Sequence, residues 1–101
     1  MVKNSLVVVI DNNAKVQLRK AYEFIKEDSP QNAEKVKQKI YHSIKALLKN
    51  PLRHPPDKYR SNNDGSYRAY ELYKYRISYH ISAQEIRVIR IGHTKMNPTL
   101  Y

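Results

Sequence analysis

Arginine and tyrosine are threaded together through the last third of this chain, Tyr67 to Tyr101, which reads YRAYELYKYRISYHISAQEIRVIRIGHTKMNPTLY. Six of the seven arginines (Arg53, Arg60, Arg68, Arg76, Arg87 and Arg90) lie after residue 50, whereas nine of the twelve lysines lie before it. Both halves carry a similar positive charge, so they differ in the kind of cation. Lysine is a hydrated point charge that suits a solvated helix face; arginine is a planar fork that matches phosphate and stacks on rings. The chemistry open to the C-terminal third is contact with phosphate and bases.

Those side chains need elements to hold them. Lys74 to Ser82 alternates Tyr75, Ile77, Tyr79 and Ile81 with Arg76, Ser78, His80 and Ser82. That period of two predicts a strand with one buried and one open face, and it puts Arg76 and His80 on the open side. Tyr67 to Leu72 reads as the preceding strand, and the more apolar Glu85 to Ile91 as a central one. Upstream, Ser5 to Ile10 is a short β-branched run that predicts a first strand. Asp11, Asn12 and Asn13 offer N-caps, and Ala14, Leu18, Ala21, Tyr22 and Ile25 recur at helical spacing to about Glu27. Ser29 before Pro30 restarts a helix, and Ala33, Val36, Ile40, Ile44, Leu47 and Leu48 make its apolar stripe as far as about Asn50, where Pro51 stops it. Pro51 to Gly65, with three prolines and an Asn63-Asp64-Gly65 turn signal, reads as an exposed irregular loop.

Composition narrows the class. The chain has 101 residues, a length that predicts a single domain over 1–101. It has no cysteine, which removes disulfides and thiolate chemistry and fits a reducing compartment. The five-residue apolar run Leu6 to Ile10 is too short for a signal segment or a membrane span, so a cytoplasmic protein with no membrane partner is expected. A net charge of +10 favours a polyanionic partner. His42, His54 and His80 have no carboxylate or second histidine at ligand spacing, so no metal site and no cofactor is expected.

The β-α-α-β-β-β order, the proline-stopped second helix, the YRAYELYKYRISYHI strand pair, the IRVIRIGH strand and the HTKMNP tail resemble the RelE/ParE superfamily of bacterial type II toxins. The likeness spans nearly the whole chain. It implies an α+β fold with a helical hairpin packed on a small twisted antiparallel sheet, and a toxin of a plasmid-stabilisation-type system that inhibits growth. A cognate antitoxin that wraps the toxin is the implied partner.

The superfamily implies two activities. RelE-like members cut mRNA in the ribosome without metal, and this chemistry needs a base for the 2′-hydroxyl, cations for the phosphate and an acid for the leaving oxygen. By resemblance Arg76, His93, Lys95 and Tyr101 form the catalytic set, and Arg68, Arg76 and His80 the nucleic-acid-binding set, with the ribosome and mRNA as partners. ParE-like members inhibit DNA gyrase without catalysis. The His93-Thr94-Lys95-Met96-Asn97-Pro98 run resembles the H-x-x-R-x-P-like ending common in those chains, with Lys95 in place of the arginine. A non-catalytic RNA-binding module is a third reading, but a double-stranded-RNA-binding domain runs α-β-β-β-α and an RRM alternates helices with strands.

Each of these residues also has a purely structural role open to it. Arg76 can pair with Glu71 across a hairpin, and His93 can satisfy a turn. Tyr75 and Tyr79 fall on the buried face, and the helix lysines Lys35, Lys37, Lys39 and Lys45 read as a solvated surface.

Overall fold

A computed structural model describes residues 6–96 and 100–101. Ser5, at the start of the expected first strand, and Asn97 and Pro98 of the tail motif lie outside the described residues. The elements are β1 (Val7–Ile10), α1 (Asn12–Asp28), α2 (Pro30–Lys45), a 3-10 turn (Ala46–Leu48), β2 (Tyr67–Leu72), β3 (Tyr75–Ile81) and β4 (Glu85–His93). The strands form one sheet in the order β1-β4-β3-β2, so β4 is central, as its apolar sequence predicts. The pairs β2–β3 and β3–β4 are antiparallel. β1 departs from the expected antiparallel sheet. It pairs parallel to β4, Val7 to Glu85 through Ile10 to Val88; both helices, the segment after them and the β2–β3 hairpin lie between the two strands and supply the long crossover that a parallel pair needs.

Local chemistry fixes the boundaries. The Asp11 side chain accepts from the Asn13 N–H and the Ser29 hydroxyl from the Asn32 N–H, so each helix opens on a side-chain cap, with Pro30 at the first position of α2. The second helix is regular only to Lys45 and tightens into the 3-10 turn before Pro51. Tyr73 and Lys74 form the two-residue β2–β3 turn, both with positive φ (51° and 68°), the left-handed backbone that a primed hairpin turn requires.

Ala14, Leu18 and Ala21 of α1 and Val36, Ile40 and Ile44 of α2 bury one stripe each, and Leu47 continues it. They pack on Tyr75, Ile77 and Tyr79 of β3 and on Ile86, Val88 and Ile91 of β4. Burying an aliphatic side chain of this kind contributes about 1.5–3 kcal/mol, so this layer anchors the sheet. The helices thus cover one face, and the opposite face is left for other work. β4 continues past the end of β1, where the Ile91 N–H would lack a strand partner; it donates instead to Gln17 Oε1 of α1 at 2.7 Å.

Candidate functional site

Register assigns side chains to the two faces. Glu71 is opposite Arg76, Ala69 opposite Ser78 and Tyr67 opposite His80, so these six share the face away from the helices, called here the outer face. Between β3 and β4 the register shifts: Ser78 pairs with Arg90 but Tyr79 with Val88, which leaves Ile89 as an extra residue. Residues three apart on a regular strand point to opposite faces. The bulge at Ile89 therefore puts both Arg87 and Arg90 on the outer face while Val88 and Ile91 stay in the core.

The loop between Pro51 and Gly65 does not stand clear of the sheet, as its composition suggests. Asp57 is 2% exposed, and the loop is stitched along β2 by the Asp57 N–H to Tyr67 O (2.8 Å) and the Ala69 N–H to Pro55 O (3.3 Å). Asn63 acts as a local clamp. Its Nδ2 donates to Tyr67 O at 2.7 Å and to Asp57 O at 3.2 Å, and its Oδ1 accepts from the Gly65 N–H at 2.9 Å. Gly65 has φ of 98°, the left-handed backbone glycine tolerates best, which lets the chain turn back into β2.

Asp57 is the centre of the outer face, and sequence reasoning missed it. Arg76 Nη2 donates to its Oδ1 at 2.8 Å, the Tyr59 N–H to the same oxygen at 3.0 Å, and the Tyr101 hydroxyl to Oδ2. Burial alone would raise the Asp57 carboxyl, but the donations from Tyr101, Arg76 and Tyr59 outweigh it and hold the carboxyl below its ordinary range. Burial first, and then the carboxylate beside it, push the Tyr101 phenol up to about 12. Glu71 gives Arg76 a second, longer contact at 3.6 Å, the cross-hairpin pair that the spacing allows. The signal available in the sequence was Asp57 directly after Pro55-Pro56, the only acid in that stretch before the Asn63-Asp64-Gly65 turn.

Tyr101 is folded onto this face. The Tyr101 N–H donates to Tyr59 O at 2.9 Å, and the Ser61 N–H donates to Tyr101 O at 2.7 Å. Guanidiniums then pack on rings: Arg76 over Tyr59 (4.8 Å to the centroid), Arg60 over Tyr67 (3.8 Å) and Tyr101 (5.2 Å), and Arg90 over Tyr101 (4.7 Å). His80 lies against the Tyr67 ring at 4.3 Å. A cleft of about 270 Å³ opens here, lined among others by Gln17, Asp57, Arg76, Arg90, His93 and Tyr101.

The residues singled out from the sequence are not all brought together. Arg76, His80 and Tyr101 share the outer face. Arg68 pairs in register with Tyr79 and so lies on the helix side; its Nε donates to Gly65 O (2.8 Å) and its Nη1 to His54 O (2.7 Å) and Leu52 O (3.3 Å). Three carbonyls occupy that guanidinium, which pins the loop. His93 is paired with Tyr75, packs edge-on against its ring at 5.1 Å, and takes the Lys95 N–H on Nδ1 at 3.0 Å. It stands at the rim between the cleft and a second, open groove of about 770 Å³ on the helix side, and Lys95 lines that groove with Phe24, Tyr73 and Lys74. Among the described residues no group of three or more His, Cys, Asp or Glu side chains is placed to hold a metal, and no helix is long and apolar enough to cross a membrane.

The family model described as the ParE toxin of the type II toxin-antitoxin system parDE matches residues 8–98. Among solved structures, the chain is similar to one from the chromosomal ParDE toxin-antitoxin system of P. aeruginosa, with a TM-score of 0.72 at 18% identity over 92% of this chain and 100% of that one. It is also similar to YoeB of Staphylococcus aureus, a structure of a dimer, with a TM-score of 0.57 at 15% identity over 87% and 95%. At these identities the two structures show the shared fold alone. No curated protein sequence matches significantly.

Proposed function

The chain belongs to the ParE toxin family of type II toxin-antitoxin systems, and from that premise we propose that it inhibits growth by binding DNA gyrase, with no cleavage chemistry of its own. Membership implies a cognate antitoxin protein as its partner. The observation that carries the reading is the engagement of Arg76. An arginine that stabilises a crowded phosphate in a transition state must present its donors to the substrate. Here Arg76 is held by buried Asp57 at 2.8 Å and by Glu71 at 3.6 Å, so its charge is already answered within the fold. The remaining candidates support the same reading. Arg68 is spent on carbonyls of the other face, and Lys95 lines the helix-side groove, away from Tyr101.

A second reading, ribosome-dependent mRNA cleavage, draws on one feature: Arg76, Arg90, His93 and Tyr101 all line one cleft. The test is a titration of purified protein into gyrase with plasmid DNA. Gyrase-dependent strand breaks and loss of supercoiling are expected; unaltered gyrase turnover at a large excess of protein would overturn the proposal.

A further inference from the structure

Arg60 and Arg90 have no part in the gyrase reading above. Neither guanidinium has a hydrogen bond or ion pair to protein among the described residues, whereas Arg68, Arg76 and Arg87 are all engaged. Both are half-buried, and no buried side-chain nitrogen or oxygen among the described residues lacks a partner. The unpaired nitrogens of Arg60 and Arg90 therefore reach solvent. Their central carbons lie over aromatic rings: Arg60 over the Tyr67 ring at 3.8 Å, and both over the Tyr101 ring at 5.2 and 4.7 Å. A guanidinium stacked on an aromatic face keeps its in-plane donors free and loses little entropy when they bind.

The rings themselves are taken. Tyr67 has Arg60 and His80 against it, and Tyr101 has Arg60, Arg90 and the edge of Tyr67. Proteins that hold single strands offer open aromatic platforms on which bases stack, and this surface offers none at its centre. What it offers is a pair of oriented forks in a chain of net charge +10, a pattern suited to backbone phosphates and indifferent to sequence. We propose that the outer sheet face is a backbone clamp for duplex DNA, with Arg60 and Arg90 as the phosphate-contacting pair and the Tyr101 ring as the plate that orients both. This extends the gyrase reading by giving the toxin a direct contact with the DNA that the enzyme holds. It rests on that reading only for the biological source of the DNA.

The experiment omits gyrase, so failure here and failure of the gyrase reading are separate results. Fluorescently labelled duplex DNA is titrated with the full chain over a range of salt concentrations, and anisotropy gives Kd. Replacing both residues (R60A with R90A) is expected to weaken binding about tenfold and to reduce the slope of log K against log salt by about 2, one for each lost phosphate contact. The pair K35A with K39A removes the same charge from α2 and should leave the slope nearly unchanged. Equal effects from the two pairs would overturn the clamp. Tighter binding of single-stranded RNA than of duplex DNA, or of polyglutamate than of either, would overturn the choice of ligand. Should the alanine pair fail to fold by circular dichroism, R60K with R90K keeps the charge and loses the fork. Several-fold weaker binding is then expected, and wild-type affinity would contradict the proposal.

Discussion

Arg76 Nη2 and Asp57 Oδ1, 19 residues apart in sequence, meet at 2.8 Å on the outer face of the sheet, and Asp57 is almost wholly buried there. Removing the carboxylate strands an arginine whose side chain is itself four-fifths covered and deletes the acceptor for Tyr101 and Tyr59. Asp57→Ala is therefore expected to cost about 2–4 kcal/mol, somewhat below the range for a fully buried pair because Arg76 retains some solvent. Asp57→Asn, which keeps an acceptor, should cost less. Urea denaturation midpoints of the two variants check the order, and equal stability of Asp57→Ala and wild type would refute the assignment.

Acid should find the same residue. Its carboxyl lies below its ordinary value in the folded chain, because the three donors outweigh burial. The stability it contributes is fully present above the unfolded carboxyl value of about 3.9 and is lost as pH falls through the lower folded value. Thermal melts of wild type are expected to fall steeply below about pH 4, and Asp57→Asn should flatten that part of the curve. Parallel acid limbs in the two proteins would contradict the role given to Asp57.

At the alkaline end the sign is reversed. The Tyr101 phenol is pushed up to about 12, by burial and by the neighbouring carboxylate. The folded state holds that proton longer than the unfolded state, so the stability it contributes is present below the unfolded value of about 10 and fades as pH rises toward 12. Tyr70 is likewise raised to about 12, by burial. Burial also raises Tyr75 and Tyr79, so phenolate absorbance should show a late-titrating fraction that includes Tyr70 and Tyr101, and Tyr101→Phe should remove part of it and cost about 1–2 kcal/mol in stability.

Arg68 behaves in this structure as a strut. Arg68→Ala leaves three carbonyls of the 51–65 loop without their donor and is expected to cost about 2 kcal/mol and to speed proteolysis within that loop. Arg68→Lys should recover little, since one ammonium cannot span Gly65, His54 and Leu52 as the fork does. Full recovery by lysine would show that only the charge matters.

Several features were legible in the residues themselves. The alternation through Tyr75, Ile77 and Tyr79 marked the buried side of β3, Ser29-Pro30 marked the break between the helices, and the apolar Glu85 to Ile91 run marked the central strand. The rest depended on long-range geometry. Arg68 and Arg76 sit on opposite faces because the β2–β3 register sets Arg68 against Tyr79 and Glu71 against Arg76, and neither sequence segment alone encodes that offset. The bulge at Ile89, which turns Arg90 to the same face as Arg87, has no glycine or proline to announce it. Asp57 was hidden for a different reason. A proline-rich polar stretch looks exposed, yet here its one buried acid finds an arginine on β3 and the last tyrosine of the chain.

A toxin that binds and does not cut is told from a nuclease most directly by comparing the two activities side by side. Purified protein is added to translating ribosomes carrying a defined mRNA, read by primer extension, and separately to gyrase with plasmid DNA, read by gel. The expected result is intact mRNA together with gyrase-dependent linear DNA. Cleavage of the mRNA in the ribosomal A site, lost in Arg76→Ala and accompanied by no effect on gyrase, would contradict it.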